Sequence, residues 1–103
     1  MAIINLDLAG SGTTVIDENN ASDGDTVAVT ALGSHTLIVD NVTVEIDSIA
    51  GVTAASNATF QAQNGGNLTI DQGLLNIAAL NSLTFNIVDD GMITLNGSTL
   101  DLL

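Results

Sequence analysis

The chain has 103 residues, with twelve acidic side chains and neither lysine nor arginine, and so carries a formal charge of −12 at neutral pH. With no cation to hold a phosphate, the composition argues against nucleic-acid binding and nucleotide chemistry, and it offers no basic patch to an anionic membrane. Cysteine is absent, so neither disulfides nor a thiolate metal centre can staple the fold.

Taken in chain order, short alternating segments predict strands over Ile3–Leu8, Thr13–Ile16, Thr26–Ala31, His35–Val39, Val42–Ile46 and Thr59–Gln63. Further strands are expected over Asn67–Ile70, Leu74–Ile77, Leu83–Val88, Met92–Leu95 and Thr99–Leu102. A helical turn at Ala54–Ala58 or Leu74–Leu80 has neither the length nor the capping of a helix. The apolar fraction of 46% is too high for disorder, yet Phe60 and Phe85 are the only aromatics. The expected core is therefore thin and layered with aliphatic side chains. The longest apolar runs are only a few residues, against about 20 for a membrane span, so no membrane insertion is expected.

Three stretches superimpose at a period of about 24 residues. Thr36, Thr59 and Thr84 correspond, as do Leu37, Phe60 and Phe85, and Ile46-Asp47, Ile70-Asp71 and Leu95-Asn96. A looser copy precedes them, with an insertion through an acidic loop. The chain therefore reads as one all-β domain over 1–103, with repeats near 9–30, 31–54, 55–78 and 79–103. The fold this predicts is a short β-solenoid of about 24-residue rungs, with like residue above like at the strand spacing of about 4.8 Å. A β-sandwich with Greek-key connections gives similar strand spacing without the repeat and is the alternative.

A short solenoid has two ends that need covering. Here the first segment carries Ile3, Ile4, Leu6 and Leu8 and the last carries Leu100, Leu102 and Leu103. These are the candidate assembly residues, and head-to-tail contact between them would build an open filament.

The densest acidic stretch, Asp17 to Asp25, brings hard oxygen ligands close together, and Asp17, Asp23 and Asp25 are the candidate ligands of a calcium ion. It is not an EF-hand loop, because Ala21 breaks the ligand alternation and no glutamate closes it. Gly65-Gly66-Asn67-Leu68-Thr69-Ile70-Asp71 likewise departs from the calcium-binding nonapeptide at Leu68 and Ile70. An acidic solvated loop is the other reading, and Asp89-Asp90-Gly91 reads as a tight turn. Asp40, Glu45, Asp47 and Asp71 suit outward-facing strand positions that discourage lateral association. His35, the only histidine, has no partners for a zinc site or a nucleophilic triad. No catalytic motif appears, so no enzyme activity is expected.

These features together resemble bacterial extracellular acidic β-repeat proteins: type I secreted repeat proteins, S-layer subunits, and β-solenoid adhesins or matrix fibres. The acidic, aliphatic C-terminus Ser98-Thr-Leu-Asp-Leu-Leu103 is similar to a type I secretion signal, while the N-terminus lacks a secretory signal pattern. The resemblance implies an extracellular or cell-surface location and a self-assembling structural subunit of a filament or surface layer. The alternative it implies is a calcium-dependent adhesin module of a larger repeat protein, bound to a glycan or cell surface.

Overall fold

Thr, Val and Ile at alternating positions favour extended backbone, and Asn, Asp and Gly end each run. The computed structural model describes residues 2–70, 74, 75, 80–95, 99 and 100. Its strands are β1 (Ile3–Leu8), β2 (Gly12–Ile16), β3 (Asp25–Leu32), β4 (His35–Asp40), β5 (Thr43–Ile49) and β6 (Asn57–Gln63). They continue with β7 (Asn67–Ile70), β8 (Leu74–Leu75), β9 (Ser82–Ile87), β10 (Met92–Leu95) and β11 (Thr99–Leu100). Each falls on an expected segment. The helical turn at Ala54–Ala58 does not form, since 54–55 make a bend-like turn and β6 has begun by Asn57. The one at Leu74–Leu80 opens instead on strand β8, and residues 76–79 lie outside the described set.

All strand pairing is parallel, in the orders β1-β3-β5-β7-β10, β2-β4-β6-β9 and β8-β11. Chain neighbours lie in different sheets and sheet neighbours lie one repeat apart, so the chain winds as a β-solenoid of about 4 turns. Greek-key connections would give antiparallel pairs, and none is present among the described residues. The first two sheets are called A (β1 side) and B (β2 side) below.

The register turns the repeat into rows. On sheet A, Ile4, Val27, Ile46, Ile70 and Leu95 form one inward row, and Val44, Leu68 and Ile93 another. On sheet B, the inward rows are Thr14-Leu37-Phe60-Phe85 and Ile16-Val39-Ala62-Ile87. The middle members of these rows are buried. Phe60 and Phe85 stack with ring centroids 6.0 Å apart and planes inclined by 21°. Thr13, Thr36, Thr59 and Thr84 make an unbroken outward row across sheet B.

Corners vary in length and carry the left-handed residues. The corner between β2 and β3 holds residues 17–24, whereas Asn41–Val42 alone connect β4 to β5. Asn41, Asn64 and Asp89 take positive φ (55°, 51° and 48°) just after β4, after β6 and after β9, conformations that Asn and Asp tolerate better than branched residues. Gly66 is required by space. A Cβ there would lie 2.2 Å from the Val39 carbonyl oxygen of the preceding turn.

Because Phe60 is buried between turns while Phe85 is half-buried on the last complete one, truncating them should differ in cost. Phe60→Ala is expected to lose about 3–5 kcal/mol in urea unfolding and Phe85→Ala clearly less.

Candidate assembly surfaces

Stacking sets the electrostatics of the side walls. A carboxylate directly above another would repel by about 3 kcal/mol at 5 Å and an effective dielectric of 20. The registered pairs among the described residues avoid this: Asp7 pairs with Ala31, Asp25 with Val44, Asp40 with Gln63, and Glu45 with Thr26 and Thr69. Amide donors stand in for the missing cations. Gln63 Nε2 donates to Asp40 Oδ2 (2.7 Å), and Asn64 Nδ2 donates to the same carboxylate (3.2 Å to Oδ2). Gln61 Nε2 donates to Gln63 Oε1 (2.7 Å), and Asn81 Nδ2 and Ser82 Oγ donate to Asn57 Oδ1 (2.7 and 2.8 Å).

The expected calcium ligands Asp17, Asp23 and Asp25 each accept hydrogen bonds from backbone amides. Asp17 Oδ1 accepts from the Asn19 amide (2.9 Å) and Asp23 Oδ1 from the Thr43 amide (2.9 Å). Asp25 Oδ1 accepts from the Ala2 amide and Asp25 Oδ2 from the Ser22 amide, both at 2.9 Å. No group of three or more His, Cys, Asp or Glu converges among the described residues. Asp17 and Asp25 cap backbone amides of the long corner, Asp23 ties that corner to the start of β5, and Ala21 of the corner packs on the core.

Asp25 has a structural place that the sequence did not disclose. It is 7% exposed and starts the row continued by Val44, Leu68 and Ile93, so a carboxylate occupies an aliphatic position. The hydrogen bond from the Ala2 amide, followed by that from Ser22, holds its carboxyl below the ordinary value of 3.8, against the opposing effect of desolvation. His35 bridges the first two turns. Its Nδ1 donates to the Gly10 carbonyl (2.9 Å), and in the neutral ring its Nε2 accepts from Thr14 Oγ1 (2.8 Å).

The ends differ from the walls. The exposed large hydrophobic side chains among the described residues are Ile3 (69%), Val15 (40%), Ile87 (58%), Val88 (41%), Met92 (54%) and Leu95 (41%). Ile3 and Val15 belong to the first turn, and the other four to the last strands β9 and β10 or the corner between them. Of the expected assembly residues, Ile3 is exposed, Ile4 and Leu6 are half-buried, and Leu8 is a correction. Leu8 is 1% exposed because its row continues through Leu32 to Val52, which seats it in the core. Leu100 ends β11, and Leu102 and Leu103 lie outside the described residues, as does Asp71. Val15, Ile87, Met92 and Leu95 were missed as end residues. Their places in the repeat rows were the signal that could have found them, because a row's first and last members have a neighbour on one side only.

Among the described residues no helix is long and apolar enough to cross a membrane. Compared with known protein families, curated proteins and solved structures, the chain matches none.

Two outcomes follow from the walls and from Asp25. Gln63→Glu removes an amide donor to Asp40 and stacks two carboxylates, so it should cost about 1–3 kcal/mol at pH 7 in urea unfolding. Most of that loss should vanish where the new pair is protonated. For Asp25, a lowered folded-state pKa means that its stabilisation is complete above 3.8 and is lost as pH falls through the lowered value. Asp25→Asn should therefore be less stable than the parent at neutral pH, with the gap between their urea midpoints closing only in strong acid.

Proposed function

We propose that this chain is a structural subunit, exported to the cell exterior or surface, whose copies join end to end into a filament or layer. The observation that carries this reading is that, among the described residues, the exposed large hydrophobics are confined to the first and last turns. Among the described residues the middle turns expose no large hydrophobic side chain, and apolar side chains left open only on the terminal turns suit a unit that continues by stacking. The two ends present different strands and different side chains, so their contact is heterologous and does not close on itself. Composition supports export: the chain has no cysteine to protect and no lysine or arginine at which trypsin-like proteases cut.

The charge of −12 supplies a barrier to premature association. Screening or neutralising it is what releases assembly, and the aspartates of the long corner, already bonded to backbone amides, do not single out calcium as the agent.

Light scattering and negative-stain microscopy test this directly. Particles should lengthen with added salt at pH 7, with sodium and calcium chlorides acting alike at equal ionic strength. They should also lengthen as pH approaches the isoelectric point near 4.1, with strand circular dichroism retained. Monomers under all these conditions would overturn the reading in favour of a monomeric adhesin module.

A further inference from the structure

The two ends are unequal in a way that fixes how copies meet. Among the described residues sheet A has five strands and sheet B four, so at the C-terminal end β10 stands one strand beyond β9. At the N-terminal end β1 and β2 are the outermost strands of the same two sheets. Laying a second copy on the first with sheet A continuous places its β1 against β10. The second copy's β2 then falls two strand spacings from β9, not one. Sheet B cannot be continuous at the same joint unless β1 or β10 leaves its own sheet.

Three further observations favour contact through sheet A. Ile4 and Leu95 are the first and last members of one inward row, and Ile3 and Thr94 of the outward row Ile3-Thr26-Glu45-Thr69-Thr94. The joint thus continues both rows with apolar or uncharged neighbours. The facing segments, Ala2–Leu6 and Met92–Leu95, carry no charge in a chain of −12. Of the outward apolar side chains on the two N-terminal strands, Ile3 on sheet A is the more open, 69% exposed against 40% for Val15 on sheet B.

We infer that β1 of one copy pairs in parallel with β10 of the next, in the register that sets Ile3 beside Thr94 and Ile4 beside Leu95. This rests on the end-to-end reading above and adds its partner strand, direction and register. The assembled sheet A runs unbroken through every joint, while the described strands of sheet B leave one strand place per subunit between β9 and the next β2. Ile3, Met92 and Leu95 become covered, while Ile87 and Val88 lie beside the interruption.

The chain has no cysteine, so introduced thiols report only the designed contact. Neighbouring Cα atoms in the inferred pair are about 4.8 Å apart, within disulfide range. Ile3→Cys and Thr94→Cys variants, mixed in assembling salt and oxidised, should give a mixed disulfide dimer. Neither variant should dimerise alone, and the doubly substituted chain should give a covalent ladder. A Thr13→Cys and Thr84→Cys mixture, which reports sheet B contact, should cross-link at least about tenfold less. Dimers of Thr94→Cys alone, or of Ile3→Cys alone, would overturn the inferred direction. Efficient Thr13/Thr84 cross-linking would overturn the choice of sheet. Large particles under reducing conditions without the mixed disulfide would reject the register and leave assembly standing. Particles that never exceed the monomer would reject the assembly itself.

Discussion

Parallel stacking at one strand spacing is the constraint from which the rest of this molecule follows. Each residue's nearest neighbours across the sheet are its own equivalents one turn before and after, so every property of a side chain is felt as a row. Apolar rows such as Ile4-Val27-Ile46-Ile70-Leu95 build a core without aromatic bulk, because each member packs along the axis as well as across it. The same geometry makes charge costly. A charged row would be a line of like charges at about 5 Å, and this chain has no cation with which to alternate the signs.

The observed solution is dilution and amide donation. Asp40 receives hydrogen bonds from Gln63 and Asn64 of the following turn, and Glu45 lies between two threonines. Where a carboxylate enters the interior, as at Asp25, two backbone amides stabilise its charged form. The glutamine and asparagine content thus does what lysine and arginine do in most acidic proteins, with hydrogen bonds in place of ion pairs.

Much of this was legible before any coordinates. Thr36, Thr59 and Thr84 and the Leu37-Phe60-Phe85 set superimpose in the sequence and are true row neighbours in the fold. Period-two alternation placed the strands, and the repeat favoured a solenoid, which the parallel pairing then separates from a sandwich. Two things were hidden for physical reasons. In the long corner 17–24 the aspartates accept backbone amides with the same oxygens that bind cations, and composition does not separate the two uses. The identity of the end residues depends on phase. Leu8 and Ile3 lie on one strand, yet one is buried and the other exposed, because Leu8 begins an inward row with Leu32 and Val52 while Ile3 begins an outward one.

The proposed joint is small, and its size is informative. Ile3, Ile4, Met92, Ile93 and Leu95 are already partly covered, so each gains less than the roughly 1.5–3 kcal/mol of full burial, a sum on the order of 5 kcal/mol. Association costs about 4–15 kcal/mol in lost freedom, so apolar contact alone leaves one joint near balance, with the new β1–β10 hydrogen bonds adding modestly. Against so narrow a margin the uncompensated charge decides the outcome, and its reach is the Debye length, about 10 Å at 0.1 M salt. Surface lysines or arginines would offset that repulsion in every medium. Their complete absence would keep the proposed joint, weak and directional, dependent on the surroundings.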